Sequence, residues 1–356
     1  MALSFEEKYE VIGQSNSEYE GIFFTCVKTT GIFCRPSCRA RKPKIENVLF
    51  CDTAKEALAR GFRPCKVCKP LEKEGETPAY ISQLIGELHK DPYLKIKDGD
   101  LRDRGLDPHQ LRRWFKKHHG LTFQAYQRML RINEAYKQIK GGDSITGAAF
   151  GSGYGSLSGF NEGYKNIFGD SAGKNMDTQV INIVRFTTPL GPMFACASAK
   201  GLCLLEFTSR KMLETEFKDL SRRLKSVILP GENEYLDQVQ EQLKEYFEGK
   251  RKAFEITLDT PGTEFQQKVW QKLREIPYGE TWSYLQESHH LNQPEAIRAV
   301  AQANGANRIS IIIPCHRVIA SDGGLGGYGG GLARKKWLLE HEQKHSGKYF
   351  QGSLDL

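Results

Sequence analysis

Four cysteines in two close pairs constrain the fold of this chain more than any other sequence feature. Three residues separate Cys34 from Cys38, and two residues separate Cys65 from Cys68. Each short spacing lets one turn of backbone present two sulfurs to the same ion, and four thiolates suit the tetrahedral coordination of Zn2+. We therefore expect these sulfurs to hold one Zn2+ and to clasp a domain of about 70 residues, whose small apolar core needs such support.

The first residues of the chain and its hydropathy indicate the cellular compartment, and that compartment decides whether the cysteines are reduced. The stretch MALSFEEKYE lacks the basic start and apolar segment of a secretory signal. No apolar run approaches the roughly 18 residues that span a bilayer. We expect a cytoplasmic protein without a membrane partner. In that compartment its nine cysteines stay reduced, available for metal binding or catalysis rather than for disulfides.

The chain has 356 residues, too many for one ordinary core, and its sequence pattern changes three times. Residues 70–80 are charged and contain two prolines, which is typical of a linker. Helical spacing of apolar residues follows, and from Val180 apolar residues alternate as in strands. These changes predict a multidomain α+β protein with units at residues 1–77, 78–175 and 176–356.

Several elements are predicted in the last unit. Three strands joined by tight turns should follow Val180, and a helix should cover about residues 234–248. A strand is predicted for AFEITLD at residues 253–259, followed by a helix from Thr263. The apolar run ISIII at residues 309–313 predicts a further strand.

Basic residues surround the first cysteine pair. Arg35, Arg39 and Arg41 place charge suited to phosphate beside the predicted metal. The stretches TTGIFCRPSCRAR and GFRPCKVC resemble the N-terminal domain of the Ada family of adaptive-response DNA repair proteins. That resemblance implies that Cys34, while bound to zinc, accepts a methyl group from a methylphosphotriester in DNA. Cys38, Cys65 and Cys68 would be the remaining ligands.

Two further cysteines of this first unit, Cys26 and Cys51, have no partner at ligand spacing, and we expect them in the core. Cys196 and Cys203 lie on predicted strands and should also serve packing.

The basic excess of the chain, whose net charge is +8, lies in the middle unit. Asp107 can cap a helix that has Pro108 in its first turn. Arg112, Arg113 and Lys116 then follow on that helix, where a groove-entering helix would meet DNA. This stretch and SITGAAFGSGYGSLSGFNEGYKNIFG resemble the two helix-turn-helix units of AraC-type DNA-binding domains, with residues 156–168 as the second recognition helix. A helical bundle with a solvated basic face is the plainer alternative.

A second chemical motif, Pro314-Cys315-His316-Arg317, lies near the C-terminus, and Glu342 follows on the last predicted helix. A thiol at its ordinary pKa is mostly protonated at neutral pH, so a nucleophilic cysteine needs a base and a group that orients the base. Cys315, His316 and Glu342 supply such a set. A buried cysteine beside a surface histidine is the alternative, and a cysteine hydrolase using the same three residues is another.

The stretches RAVAQANGANRISIIIPCHRV and GGYGGGLARKKWLLEHE resemble the O6-alkylguanine-DNA alkyltransferase domain. The resemblance implies a ribonuclease-H-like α/β subdomain at residues 176–262, followed by a winged-helix-like catalytic subdomain at residues 263–356. It also implies roles for six residues: Cys315 as methyl acceptor, His316 as its base through a water, Glu342 as the group holding the imidazole, Asn307 as a brace of the preceding turn, Tyr284 beside the extruded base, and Arg298 filling the gap in the duplex.

Together these resemblances imply an irreversible, single-turnover repair protein. Cys315 would take methyl from O6-methylguanine and O4-methylthymine, and Cys34 from methylphosphotriesters. Methylated Cys34 would then promote DNA binding as a regulator of the alkylation response, with double-stranded DNA and RNA polymerase as partners of a monomer. The alternative is a zinc-stabilised transcription factor without repair activity. Gly329 follows the loop residue Tyr328 where many relatives have serine, which leaves selectivity for bulky alkyl groups open.

Overall fold

The computed structural model describes residues 3–12, 14, 19–71, 77–173 and 178–347, so part of the predicted linker lies outside the described residues. Within these ranges, no helix combines the length and the apolar character needed to cross a membrane.

The first domain is a small four-stranded sheet with two short helices. Its elements are α1 (Phe5–Val11), β1 (Phe24–Val27), β2 (Ile32–Cys34), β3 (Val48–Cys51), α2 (Ala54–Ala59) and β4 (Arg63–Pro64). The strand order is β3-β1-β2-β4, and only the β2/β4 pair is parallel. Cys26 and Cys51 lie in its apolar core, with their sulfurs 3.4 Å apart. This confirms the prediction that both are core residues.

The middle domain is all helical. It comprises α3 (Ala79–Lys90), α4 (Asp98–Asp103), α5 (Pro108–His119), α6 (Phe123–Lys140), α7 (Ile145–Gly151) and α8 (Leu157–Phe168). Asp107 caps α5 by accepting from the His109 amide at 2.8 Å, and Gly120 ends α5 in the left-handed region at φ +73°. The long helix α6 joins two apolar clusters, one for each helix-turn-helix unit.

The third unit is a four-stranded sheet with a helix on each face. Its elements are β5 (Gln179–Thr188), β6 (Gly191–Ser198), β7 (Gly201–Phe207), α9 (Leu213–Arg223), β8 (Ser226–Pro230) and α10 (Glu234–Phe247). The order is β7-β6-β5-β8, with β8 parallel to β5. Cys196 and Cys203 are fully buried on the α9 face, as predicted.

Contacts between the middle domain and this sheet are specific. Leu229 of β8 is buried in the apolar cluster of the second helix-turn-helix unit. Asn133 of α6 donates to the Pro230 carbonyl at 3.0 Å, and Tyr136 donates to the Thr178 carbonyl at 2.7 Å. The Arg185 guanidinium lies 5.2 Å from the Trp114 ring centroid on α5. The two domains therefore share a packed and hydrogen-bonded boundary.

The last unit is mostly helical. It contains α11 (Glu264–Leu273), β9 (Trp282–Ser283), α12 (Tyr284–His290), α13 (Ile297–Gly305), β10 (Val318–Ile319) and α14 (Leu332–His345). β9 and β10 pair in parallel, and the helices pack on one large core shared with α10 and the sheet.

Two predicted strands are wrong. In AFEITLD only Leu258 forms an isolated bridge, with Leu202, and in ISIII only Ile309 does so, with Leu205. The second run touches the edge of the sheet and then turns, with Ile311 at φ +72°. Its isoleucines are buried because the turn crosses the core, so burial, and not strand pairing, explains the apolar run.

Candidate functional site

The four paired cysteines meet at one edge of the first sheet. Cys34 ends β2, and Cys65 follows β4, which runs parallel to β2. The Cys65 amide donates to the Phe33 carbonyl at 3.0 Å, and this bond brings the two pairs together. All four sulfurs lie within 4.8 Å of one another. Zn–S bonds of about 2.3 Å in a tetrahedron place sulfurs about 3.8 Å apart, so the cluster fits Zn2+.

The hydrogen bond between Cys34 and Cys68 shifts the pKa of these two thiols in opposite directions. A hydrogen bond to Cys68 and then burial raise the pKa of Cys34, while burial raises the pKa of Cys38 to about 11. The hydrogen bond from Cys34 lowers the pKa of Cys68 to about 5. Cys68 therefore ionises more readily than Cys34 and Cys38, and a cation among the sulfurs would favour ionisation of these two as well.

Backbone hydrogen bonds distinguish Cys34 from the other three. The Arg35 amide donates to Cys68 Sγ at 3.3 Å, and the Val67 amide donates to Cys65 Sγ at 3.4 Å. Cys38 accepts from the backbone of Ala40. Across the described residues, no backbone N–H contacts the Cys34 sulfur. Such bonds withdraw electron density from a thiolate, so the Cys34 sulfur loses less of it to the backbone than the other three.

A groove of about 280 Å³ gives access to this cluster. Cys34, Cys38 and Cys65 line it together with Arg41 and Lys42. Arg39 and Arg41 are exposed.

Arg35 is placed differently from these two arginines. Its guanidinium pairs with Glu20 at 3.1 Å and donates to the carbonyls of Cys68 and Lys69. Only 15% of its side chain is exposed. Arg35 therefore ties down the second cysteine loop, whereas the sequence predicted a phosphate contact.

The second site centres on Cys315, which begins a short 3-10 turn at residues 315–317 and remains partly accessible. Asn307 donates to Cys315 Sγ at 3.2 Å and to the Ile313 carbonyl at 2.9 Å, and its side-chain oxygen accepts from the Ile309 amide at 2.9 Å. Asn307 thus holds both ends of the turn that contains Ile311. Burial raises the pKa of Cys315, although the Asn307 bond opposes this, so the thiol needs a base to ionise.

His316 is fully buried beside the thiol. Its Nε2 lies 2.9 Å from Glu342 Oε1, so the carboxylate accepts the Nε2 proton and Nδ1 carries the free lone pair. Nδ1 is buried without a hydrogen-bond partner among the described residues. Burial lowers the pKa of His316, and Glu342 only partly offsets this, which keeps the ring neutral. A neutral imidazole with a free Nδ1 can accept a proton.

Glu342 is held by four further hydrogen bonds. Arg317 donates from Nε at 2.8 Å and from Nη2 at 3.0 Å, the Tyr246 hydroxyl donates at 2.8 Å, and the Gly279 amide donates at 3.2 Å. Burial alone would raise the pKa of Glu342, but His316 and Arg317 outweigh it and lower the pKa well below its ordinary value. The carboxylate is therefore charged and rigidly oriented.

Four family models match consecutive parts of the chain. They are the metal-binding domain of Ada at residues 7–71, a helix-turn-helix domain at 102–176, and the ribonuclease-like and DNA-binding domains of 6-O-methylguanine DNA methyltransferase at 185–260 and 264–344. The bifunctional transcriptional activator/DNA repair enzyme Ada of Escherichia coli is 32% identical, covering 96% of this chain and 98% of that protein. This chain belongs to the Ada family.

Other relatives match one half of this Ada-family chain. A methylated-DNA–protein-cysteine methyltransferase of Methanosarcina barkeri is 40% identical over 44% of the chain and 94% of its own length. The solved complex of methylated N-Ada with DNA is 35% identical, with a TM-score of 0.29, and covers 36% of the chain. The metal-binding match and the geometry of the four sulfurs together identify a Zn2+ site.

The remaining predicted residues lie at the surface of this Ada-family chain or near the thiol. Tyr284 begins α12 and packs on the core region that includes Cys315. Arg298 is exposed on the first turn of α13. On α5, Arg113 and Lys116 are exposed, whereas Arg112 forms an ion pair with Asp98.

Sequence reasoning missed several buried polar residues around Cys315. Lys335 is fully buried, donates to the Gly327 carbonyl at 3.2 Å, and has its pKa lowered to about 8 by burial. It sits in the basic run ARKKW, which looks like a solvated face. Its spacing of three to Leu338 and seven to Glu342 places it on the buried side of α14, and that spacing was the available signal. Arg317 and Tyr246, which hold Glu342, gave no comparable signal.

Proposed function

We propose that this chain repairs alkylated DNA by two irreversible methyl transfers, one to Cys315 and one to Cys34. The observation that carries the proposal is the set of contacts at Cys315: Asn307 holds the sulfur, and His316 presents a free Nδ1 while Glu342 binds its Nε2. A buried histidine held in this tautomer is suited to deprotonate a neighbouring thiol.

At Cys315 the substrates are O6-methylguanine and, by the same chemistry, O4-methylthymine in duplex DNA. The base must first leave the stack, at a cost of a few kcal/mol, because sulfur cannot reach the methyl carbon in line inside the duplex. Arg298 on α13 would fill the vacated space. His316 then accepts the Cys315 proton through a water, and the thiolate attacks the methyl carbon.

In this step the S–C bond forms as the C–O6 bond breaks, and guanine leaves with the electron pair. Tyr284, near the thiol, offsets the charge on the departing base. The product is a thioether, which does not hydrolyse, so each molecule acts once at Cys315. Asn307 and Glu342 act by positioning the sulfur and the imidazole.

At Cys34 the substrate is a methylphosphotriester. Bound Zn2+ would keep the sulfurs of Cys34, Cys38, Cys65 and Cys68 ionised and soft. The Cys34 sulfur takes the methyl group, and the phosphate regains its negative charge. Arg39 and Arg41, exposed near the groove, are suited to hold the neighbouring phosphates.

Methylation of Cys34 also provides a regulatory signal. Four thiolates around Zn2+ carry two net negative charges, and a thioether in place of one thiolate leaves a single charge. DNA phosphates are then repelled less, and affinity for DNA rises. The exposed Arg113 and Lys116 of α5, with α8, would read the promoter. We place the protein in the cytosol as a monomer that engages RNA polymerase there.

Mass mapping tests both transfers. The full chain, with its zinc quantified, is incubated with duplexes that carry O6-methylguanine or a methylphosphotriester labelled with deuterium in the methyl group. We expect one labelled methyl on Cys315 from the first duplex and one on Cys34 from the second. Methylation of neither cysteine would refute repair and leave a DNA-binding regulator, and repeated turnover on an ester would indicate a hydrolase.

A further inference from the structure

Arg210, in the turn between β7 and α9, is a buried cation close to the Cys315 site. Its guanidinium pairs with Glu206 at 3.1 Å and with Glu216 at 2.7 Å, and donates to the carbonyls of Gly305 at 2.9 Å and Asn307 at 3.2 Å. Only 6% of the Arg210 side chain is exposed. The group is therefore fastened on several sides and cannot swing away at low cost.

Gly329, which follows the loop residue Tyr328, leaves room for this guanidinium. A Cβ atom built on Gly329 would lie 1.8 Å from Arg210 Nη1 and 2.9 Å from its Cζ. Any side chain at position 329 would overlap a group that four partners hold in place. Arginine at 210 and glycine at 329 are thus matched, and the guanidinium occupies the volume that a serine would take.

Asn307 connects Arg210 to the reacting sulfur of Cys315. The Asn307 carbonyl accepts from Arg210, and the Asn307 side chain donates to Cys315 Sγ at 3.2 Å. Tyr328 packs on the same core as Cys315, with its ring 6.4 Å from that of His316. A pocket of about 200 Å³ lies against this loop, lined by Arg210, Gly305 and residues 328–331. The guanidinium thus lines this pocket and also holds the backbone of Asn307, whose side chain contacts the acceptor.

We propose that Arg210 is a specificity-determining residue that restricts the Cys315 site to small alkyl groups. This inference rests on the proposed function, because it concerns which O6-alkylguanines react at Cys315. By filling the space beside Gly329 and anchoring the Asn307 turn, Arg210 separates the acceptor from the adjoining pocket. A methyl group needs no further space, whereas a benzyl group has to displace the guanidinium.

The test compares transfer rates from duplexes carrying O6-methylguanine and O6-benzylguanine. The variant is R210A combined with E206Q, since removing Arg210 alone would leave Glu206 buried without a cation. Glu216 keeps Arg308 as a charged neighbour. We expect the methyl-to-benzyl rate ratio to fall about tenfold or more, the scale on which pocket volume discriminates substrates. E206Q alone is the control and should leave the ratio unchanged. An unchanged ratio in the double variant would overturn the inference.

A second comparison introduces a serine at position 329 with Arg210 present and with Arg210 removed. G329S alone should slow methyl transfer about tenfold or more, because the serine collides with the held guanidinium. In the R210A/E206Q background the same change should slow methyl transfer by less than about threefold. The difference between the two losses measures the coupling between Arg210 and Gly329. Equal losses in both backgrounds would refute it.

Controls separate this inference from the proposed function. Methyl transfer to Cys34 in each variant, together with its thermal unfolding midpoint, reports whether the chain is intact. Failure of the unaltered chain to methylate Cys315 would count against the proposed function, whereas normal methylation with unchanged ratios would count only against Arg210.

Discussion

The two cysteine sites differ in how far apart in sequence their parts lie. All four sulfurs of the metal site come from residues 34–68, on two paired strands and the turns that follow them. The groups around Cys315 come from α10, α14, the α11–β9 connection and the turn after α13. A metal site closes over a short stretch because the ion supplies the binding energy, whereas an imidazole-based site depends on a complete domain core.

The sites also differ in how a thiol becomes a nucleophile. At Cys34 a cation among four sulfurs would favour the thiolate directly. At Cys315 burial raises the pKa, and in the proposed mechanism the proton moves to His316. Each site should therefore fail through a different perturbation, which gives five tests.

The largest effect should come from replacing each of the two acceptor cysteines by serine. Cys315→Ser should abolish transfer from O6-methylguanine and spare transfer from the phosphotriester, and Cys34→Ser should do the reverse while retaining some zinc. Serine lacks the ionised sulfur that either reaction needs. Peptide mass mapping after exposure to both lesions reads each result. Loss of both transfers in either variant would mean that the sites are not independent.

Removal of zinc should have almost as large an effect, abolishing one of the two methyl transfers and sparing the other. Metal binding supplies on the order of 10 kcal/mol to domains of this kind, so a chelator should unfold the first domain and end transfer to Cys34. Transfer to Cys315 should continue at its original rate. Circular dichroism and both transfer assays measure this, and re-addition of Zn2+ is the control.

Replacing Glu342 by Gln should damage the second site alone. Arg317 would then be buried without its counter-charge, a loss of about 3–5 kcal/mol in unfolding free energy. Transfer to Cys315 should fall because the imidazole loses its orientation. Glu340→Gln, at an exposed position 3.9 Å from Lys336, is the matched control and should change stability by less than about 0.5 kcal/mol. Denaturant unfolding gives both values.

Acid should destabilise the second site progressively. The pKa of Glu342 is lowered below 4.5 and that of His316 below 6.5, so the unfolded chain binds protons more readily than the folded one. The stability they contribute is fully present above about pH 6.5 and declines as the pH falls, more steeply below about 4.5. Unfolding midpoints measured between pH 7 and pH 4 should follow this course, and E342Q should flatten its lower part. A midpoint that rises on acidification would contradict the assignment.

The smallest effect should come from Tyr246→Phe. It removes a single hydroxyl that donates to Glu342 at 2.8 Å and leaves the arginine contacts in place. We expect a loss of about 1–2 kcal/mol in unfolding free energy and a few-fold slower transfer to Cys315. Tyr235→Phe on the same helix is the control. Transfer to Cys34 should be unaffected in both.

The sequence predicted the local four-cysteine site more fully than the site around Cys315, whose parts are far apart in sequence. Cys34, Cys38, Cys65 and Cys68 were predicted as a cluster because two local spacings restrict their geometry. The capped helix at Pro108 and the strands after Val180 were predicted from local pattern as well. Residues 309–313 were predicted wrongly, because a turn buried in a core has the composition of a strand. The partners of Glu342 and the position of Arg210 depend on contacts across 25 or more residues, which local pattern does not reveal.

Leu229 carries a practical lesson about dividing the chain. It belongs to β8 in sequence but completes the apolar cluster of α6, α7 and α8. A fragment that stops at residue 175 would lack this side chain and would expose to water the apolar surface that Leu229 covers. A fragment extended only to Pro230 would regain Leu229 but would leave the opposite face of the same sheet without α10, so the helix-turn-helix portion is best studied with the chain continued through α14.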